Sequence, residues 1–356
     1  MAKTKKEKQP SNKAEKKSKK SIIVLTLRYI FLAVFVISLG IILYNNVLLP
    51  NQVDSGFSEI NSELYSMLET INTDNVETDS ESETEINTDE SANGKNPVSQ
   101  GAIVKHRDKK PEAIKLLKEK YNYLTGWIEI DNTVVNFPVM QSGNSDPDYY
   151  LRRDFKGNYS KYGSIYLDAS CTDESDVLLL YGHSMSDKRM FYCLLDMAEP
   201  EVLKNSPIIK YDTISGIGDY KIVSIFKTNT RYSHGSPFHY NYIDFDSTEE
   251  KMQYIYNCMI RSVVDTGVDI KDDDEFILLS TCSYEFEDFR TGVLARKVRP
   301  GEESSVDINN IKKAESPLYP DVWYETYGGR KPDYPKKFED AVKDGILDWY
   351  SGELYK

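Results

Sequence analysis

Cysteine and histidine are scarce in this chain, with four of each among 356 residues. No two cysteines form a Cys-x-x-Cys pair and the histidines are scattered, so the sequence lacks the ligand spacing of a zinc site. Four cysteines in so long a chain also do not make a disulfide framework. The acidic run at 269–275 lacks the oxygen-ligand spacing and the glycine of an EF-hand loop. We therefore expect no metal site and no cofactor.

Outside its first 20 residues the chain is acidic and has no net positive charge. Residues 1–20 hold nine Lys and two Glu, whereas the remaining residues together carry a net charge of −20. Phosphate binding needs clustered Lys and Arg, so a protein this acidic is not expected to bind nucleic acid. Because of the segment that follows, we interpret residues 1–20 as a basic head on the cytoplasmic side of a membrane.

Long apolar segments are absent apart from one. Residues 22–44 are almost wholly apolar, and about 20 such residues span the hydrocarbon core of a bilayer. The sequence predicts a single transmembrane helix over residues 21–45, with the basic head cytoplasmic and the rest of the chain extracellular. A cleaved signal peptide is the alternative. Its apolar region, however, has only about 7–15 residues and ends in small residues, whereas this run ends in Tyr44-Asn45-Asn46.

Three segments follow the apolar run. We predict an acidic, disordered stalk over residues 46–105, because residues 74–90 are rich in Asp, Glu, Ser and Thr and have little to bury. A weak helical pattern of apolar residues around Phe57 lies in its first part. Residues 106–300 are expected to form the folded domain. Residues 301–356 form a C-terminal extension, to which the sequence assigns no role.

The predicted folded domain consists mainly of short β-type runs separated by turn residues. This pattern is typical of a mainly β protein, either a closed barrel or a sandwich. Helical patterns occur at 111–124, 190–197 and 248–264, and another lies in the extension at 337–350. The predicted strands are 126–130, 134–140, 163–167, 177–181, 220–228, 276–281 and 291–298.

Two of these strands end in residues suited to acyl transfer. His183 follows the strand at 177–181, and Cys282 follows the strand at 276–281. Arg290 opens the next strand, so an antiparallel return would bring its guanidinium near the thiol. A thiolate can attack a carbonyl, a histidine can move the protons, and an arginine can stabilise an oxyanion or hold the substrate. The residue types alone leave open that Cys282 is a small buried residue, as we expect of the other three cysteines.

In this order and spacing, the motifs resemble those of the class B sortases. The resemblance rests on Tyr181-Gly-His183-Ser-Met, on Leu279-Ser-Thr-Cys282 followed by Arg290, and on the segments around them, and it covers about residues 110–299. It implies an eight-stranded sortase barrel with flanking helices, in a membrane-anchored cysteine transpeptidase of Gram-positive bacteria. Such enzymes cleave a C-terminal sorting signal after Thr. They hold the acyl chain as a thioester and transfer it to an amine of a peptidoglycan precursor.

The resemblance also implies roles for single residues. Cys282 would be the nucleophile, His183 the general acid and base, and Arg290 the residue that stabilises the oxyanion or the substrate. Substrate-binding positions would be Ser280, Thr281, Tyr181 and Ser184. The expected partners are secreted proteins with a C-terminal sorting signal, the amine of the peptidoglycan precursor, and the membrane through the N-terminal helix.

Other functions stay open at this point. A pilus-polymerising sortase would join pilin subunits. Class C members of that kind usually carry an Asp-Pro-aromatic lid motif, which Asp146-Pro147-Asp148 does not match. An L,D-transpeptidase would place its cysteine in a Ser-x-Gly-Cys-His-Arg-like segment, which is absent around Cys282. A catalytically idle, membrane-tethered binding module on a sortase scaffold is the non-enzymatic alternative.

Overall fold

The computed structural model describes residues 12–76 and 107–356, with side chains for 24–72 and 107–356. Helix α1 (Asn12–Leu43) continues through a π-helical turn at Tyr44–Leu48 into α2 (Leu49–Val76). Within this helix, the stretch Val24–Asn72 is long and apolar enough to cross a membrane. Its large apolar side chains between residues 24 and 48 are exposed. It is therefore a candidate membrane span by length and composition, and it contains the predicted span from residue 24 onward.

The chain divides into two compact units, Met1–Glu59 and Ile60–Lys356. The second unit includes the last part of α2, where apolar side chains spaced three or four residues apart form one buried face, made of Ile60, Leu64, Leu68 and Ile71. The prediction of a disordered stalk is therefore wrong for residues 46–76, which are helical and whose apolar face from Ile60 onward is buried. The rest of the predicted stalk, at 77–105, lies outside the described residues, as do residues 1–11 of the basic head and His106.

Eight strands close into a barrel in the order β1-β2-β3-β4-β8-β9-β6-β5. Neighbouring strands are antiparallel except for β2 with β3 and β4 with β8. The predicted mainly β, barrel-type fold with flanking helices is confirmed. The barrel strands are β1 (Leu124–Glu129), β2 (Asn136–Met140), β3 (Ile165–Leu167), β4 (Val177–Tyr181), β5 (Ile208–Thr213), β6 (Asp219–Asn229), β8 (Phe276–Ser283) and β9 (Phe289–Lys297).

Helices flank the barrel. The longest of them, α6 (Thr248–Met259), begins where the Ser247 hydroxyl accepts a hydrogen bond from the Glu250 backbone N–H at 3.2 Å. It ends five residues before the predicted end, because the chain then turns into the short strand β7 (Val264–Asp265). The other helices after the N-terminal pair are α3 (Lys110–Lys120), α4 (Cys193–Asp196), α5 (Pro200–Leu203), α7 (Asp321–Tyr327) and α8 (Phe338–Lys343).

The C-terminal extension packs on the barrel unit. Its strand β10 (Lys312–Lys313) pairs antiparallel with β7. Farther along, Phe338 is buried at the start of α8, where its backbone N–H donates to the Gln253 side chain at 2.8 Å. Helix α8 is much shorter than the predicted helix at 337–350, because Gly345 adopts a φ of +65° soon after the helix ends. The extension is therefore a structured part of the unit that contains the barrel.

Candidate active site

Two parallel strands bring His183 and Cys282 to the same edge of the barrel. Strands β4 and β8 pair in register, with Tyr181 opposite Ser280. The backbone continues this pairing, because the Gly182 N–H donates to the Ser280 carbonyl at 3.1 Å and the Thr281 hydroxyl donates to the Gly182 carbonyl at 2.7 Å. These bonds hold Gly182, which precedes His183, against Ser280 and Thr281, which precede Cys282. A rigid core thereby holds both candidate reactive groups.

Gly182 is required where the backbone enters the site. A Cβ atom at this position would lie 2.5 Å from the Ile165 side chain and 2.6 Å from the ring of Phe191. Neither neighbour can move easily, since both are buried in the core. A larger residue at this position would therefore push His183 away from β8.

Arg290 lies directly opposite Cys282 in the antiparallel pair of β8 and β9. Residues in direct register project to the same face of a sheet, so the guanidinium and the thiol share one face. One N–H of Arg290 donates to the Phe289 carbonyl at 3.0 Å, and the side chain is half-buried. The remaining N–H groups of the fork are available for a bound group.

A cleft of about 650 Å³ opens over these residues. Six of the seven sequence-predicted site residues line it, namely Cys282, His183, Arg290, Ser280, Thr281 and Tyr181. Ser184 does not line the cleft: it is buried, and its carbonyl accepts a hydrogen bond from the Tyr284 hydroxyl. Ser184 is therefore placed to hold the segment after His183 in position, and not at the cleft surface.

His183 is held as a neutral imidazole. Its Nε2 lies 2.8 Å from the Leu151 carbonyl oxygen, which can only accept, so Nε2 carries the proton and Nδ1 is left as the basic nitrogen. Burial lowers the pKa of His183 below its ordinary value of 6.5, the Leu151 hydrogen bond opposes this shift in part, and the nearby charge of Arg152 adds to it. At neutral pH the ring is therefore uncharged, so Nδ1 is available to accept a proton from another group.

The cysteines fall into two groups. Burial raises the pKa of the thiols of Cys171, Cys193 and Cys258 to about 12 each, so they stay protonated and unreactive at neutral pH. Cys282 is partly exposed and is the cysteine that lines the cleft. The expectation of buried thiols fits Cys171 and Cys258, whereas Cys193 is partly exposed and lies outside the cleft.

Several cleft residues were missed by the sequence analysis. His239 and Tyr240 belong to the Gly/Pro-containing segment that joins β6 to α6, and both line the cleft. The Tyr240 hydroxyl and the Ser280 hydroxyl are hydrogen-bonded at 2.8 Å, and the Tyr181 hydroxyl donates to Asp168 at 3.1 Å. No local pattern could reveal these contacts, because each joins segments that are distant in sequence.

Two curated relatives are similar to about half of this chain. Sortase B of Listeria monocytogenes is 30% identical over 190 residues, which cover 52% of this chain and 71% of the relative. Sortase B of Staphylococcus aureus is 29% identical over 182 residues, which cover 50% of this chain and 70% of the relative. No protein-family model matches the chain.

The fold agrees with these relatives. A solved structure, the Staphylococcus aureus sortase B-substrate complex, aligns with a TM-score of 0.54 at 20% identity and covers 71% of this chain and 99% of that chain. The closed eight-stranded barrel is thus the sortase fold. The chain belongs to the sortase B family and is a class B sortase, a cysteine transpeptidase of the kind that anchors proteins to the cell wall.

Proposed function

We propose that this sortase cleaves a C-terminal sorting signal after Thr, holds the acyl chain as a thioester on Cys282, and transfers it to an amine of a peptidoglycan precursor. The observation that carries this proposal is the convergence of Cys282, His183 and Arg290 on one cleft. An accessible nucleophile, a neutral base and a fixed cation are together what acyl transfer needs.

The first half of the reaction forms the thioester. The neutral imidazole of His183 takes the thiol proton, and the Cys282 sulfur attacks the carbonyl carbon of Thr in the substrate. Arg290 donates hydrogen bonds to the oxygen as negative charge develops there. When the intermediate collapses, the carbon–nitrogen bond breaks and His183 gives its proton to the leaving amine. One peptide bond is lost and one thioester is formed.

The second half forms a new amide. The acceptor amine attacks the thioester carbonyl and loses a proton to His183, and the Cys282 sulfur leaves and regains a proton. Substrate would be held by Ser280, Thr281 and Tyr181, which line the cleft next to the nucleophile. The active site then returns to its starting protonation state, and no metal or cofactor enters either half.

We also propose that the apolar helix anchors the protein with its N-terminus in the cytoplasm and its barrel outside the cell. The lysines that precede the apolar run support this orientation, because positively charged flanks stay on the cytoplasmic side. A membrane-impermeant maleimide tests it in a Cys282→Ala background. Ser304→Cys should react in intact cells and Ser18→Cys only after lysis; the reverse pattern would refute the orientation.

The activity is tested with the full chain in detergent and a library of fluorogenic peptides of the form x-P-x-T-x, with and without an amine acceptor. Mass spectrometry should find an acyl group on Cys282 and a product in which the acceptor is joined to Thr. Cys282→Ala should give neither, whereas Cys193→Ala, which changes a partly exposed thiol outside the cleft, should behave as the parent. Cleavage that survives Cys282→Ala would refute the mechanism. If substrate molecules are joined to one another in the absence of the amine acceptor, the result would favour a pilus-polymerising enzyme.

A further inference from the structure

Two loops adjoin the cleft, and we call them the wall loops. The first joins β6 to α6 over residues 230–247, and the second joins β8 to β9 over residues 284–288. The β6–α6 loop lines the cleft with Thr230 and with residues 237–241. The β8–β9 loop separates Cys282 from Arg290 in sequence. Any displacement of these loops would therefore move the cleft wall and the arginine relative to the thiol.

The ion pairs between the two loops are exposed. Arg231 pairs with Glu287 at 2.6 Å and with Asp288 at 2.5 Å, and all three side chains are at least 43% exposed. The Thr230 backbone N–H also donates to the Asp288 carbonyl at 3.2 Å. Exposed ion pairs contribute little to stability, so these bonds alone would hold the wall loosely.

The C-terminal extension adds a second support. Residues 311–327, which we call the brace, first run along the end of α6 and the segment after it. Backbone hydrogen bonds from Ala314 to Val263 at 3.1 Å and from Leu318 to Ile260 at 2.9 Å continue the pairing of β10 with β7. The brace then reaches the β6–α6 loop, where the Val322 N–H donates to a loop carbonyl, that of His234, at 3.2 Å. The brace thus connects the β6–α6 loop to the end of α6 and to β7.

Aromatic rings continue the brace into the β8–β9 loop. Phe286 of that loop lies 6.2 Å from the ring of Trp323 and 5.7 Å from that of Tyr327. On its other side, Phe286 lies 4.8 Å from the ring of Phe289. Phe289 is fully buried and immediately precedes Arg290. A series of ring contacts therefore runs from the extension to Phe289, whose carbonyl accepts a hydrogen bond from Arg290.

The β6–α6 loop is shaped to accept the brace. Gly235 adopts a φ of +103°, a conformation that L side chains rarely adopt. A Cβ atom at this position would lie 2.7 Å from the Asp321 carboxylate and 2.9 Å from the Asp321 backbone nitrogen. The start of α7 thus approaches the loop as closely as a glycine permits.

From these contacts, we propose that the brace positions the two wall loops, so that the C-terminal extension sets productive substrate binding without touching the reacting atoms. This inference rests on the proposed transpeptidase function. Trp323 and Phe286 act as positioning residues in it. Loss of the ring contacts should free the loops to move, and small misplacements around a reacting centre are costly to the rate.

The test uses the full chain in detergent and compares Trp323→Ala with Trp349→Ala. Both tryptophans are half-buried in the extension, but Trp349 contacts Phe338 and Tyr350 and lies outside the brace. We expect Trp323→Ala to lower kcat/KM for peptide cleavage by about 10- to 100-fold. We expect Trp349→Ala to leave it near the parent value and Trp323→Phe to restore most of it. Phe286→Ala should reproduce the loss, and the double variant should add little.

Two further readouts separate positioning from a general loss of structure. Alkylation of Cys282 by iodoacetamide, and its pH profile, should be unchanged in Trp323→Ala, because the thiol and His183 are held by the barrel strands. Hydrogen exchange of the amides in 230–236 and 284–288 should be faster in Trp323→Ala than in Trp349→Ala. Equal cleavage losses in the two variants, or equal exchange in the loops, would overturn the inference. Exchange needs no substrate, so it decides the question even if the proposed function fails.

Discussion

Breaking the ion pair between Lys227 and Glu285, beneath the β8–β9 loop, should strongly reduce the stability of the barrel. Lys227 on β6 is only 7% exposed, and its ammonium group lies 2.7 Å from the Glu285 carboxylate. Its other hydrogen bond goes to the Thr291 hydroxyl at 2.9 Å. Because Glu285 comes three residues after Cys282, this pair ties the loop that follows the nucleophile to the barrel wall.

The expected cost of breaking the pair follows from the burial of its members. Glu285→Leu would leave the Lys227 ammonium buried with a single hydroxyl partner, which should lower the free energy of unfolding by about 3–5 kcal/mol. Lys227→Met would leave the Glu285 carboxylate without its cation; because the Glu285 side chain is 28% exposed against 7% for Lys227, the cost should be smaller, about 2–3 kcal/mol. The double variant leaves no unpaired charge and should cost only about 1 kcal/mol. The double-mutant cycle should therefore give a large coupling energy.

The pH dependence provides an independent check on the same pair. Burial by itself raises the pKa of Glu285, but the charge of Lys227 and its hydrogen bond outweigh burial, so the pKa lies below its ordinary value of 4.5. A carboxyl group whose pKa is lower in the folded state adds stability above pH 4.5, and this stability is lost as the pH falls through the folded-state pKa. The stability difference between the parent and Glu285→Leu should therefore shrink below pH 4.5.

Urea unfolding of the full chain in detergent, followed by tryptophan fluorescence from pH 7 downward, measures both effects. The matched control is Lys343→Met, which removes a lysine from an exposed pair with Glu339 and should change stability by less than about 0.5 kcal/mol. A coupling energy below about 1 kcal/mol between Lys227 and Glu285 would refute the reasoning. A stability difference that stays constant below pH 4.5 would refute it as well.

Four further predictions concern the chemistry. Cys282→Ala should abolish transpeptidation and leave the unfolding temperature near that of the parent; residual turnover near the parent rate would contradict the assigned nucleophile. Arg290→Lys keeps the charge but loses the planar fork, so kcat/KM should fall by about 10²–10³-fold, and an unchanged rate would remove Arg290 from the mechanism. Iodoacetamide should alkylate Cys282 far faster than the other three cysteines, as peptide mapping by mass spectrometry would show. In a titration followed by NMR, His183 should have a midpoint below 6.5 because burial disfavours its charged form, and Arg152→Ala should raise it; a midpoint at or above 6.5 in the parent would contradict the neutral imidazole.

Seven of the eight barrel strands could be predicted from the sequence, whereas β5 could not. The predicted strand at 177–181 matches β4, and the prediction at 276–281 falls within β8. Strand β5 has only six residues, and two of them, Lys210 and Asp212, are charged, so its apolar run is too short to stand out. Asp212 is fully buried, and its charge is balanced by Arg107 at 2.7 Å and Lys110 at 3.1 Å, about a hundred residues earlier in the chain. Such compensation is invisible in a local window.

The error at α2 has a similar cause. Its apolar residues are separated by many polar ones, so local composition favoured a solvated stalk. The helix contributes a buried face only because partners elsewhere in the chain complete it. The Asn136 amide donates to the Tyr65 hydroxyl at 2.9 Å, and Lys120 pairs with Glu63 at 2.8 Å. A helical pattern predicts a face but not the surface that covers it.

In the candidate site, too, some features could be predicted from local sequence and others depend on distant segments. Cys282, His183 and Arg290 lie at the ends of strands whose geometry is fixed by the core, so local motifs and one antiparallel return were enough to bring them together. The cleft wall comes from loops, and the loops are held by a brace that begins more than twenty residues after Arg290. The chemistry of the site is therefore encoded within the barrel strands. If the brace acts as proposed, changes in the C-terminal extension could alter which substrates bind while the reacting groups stay as they are.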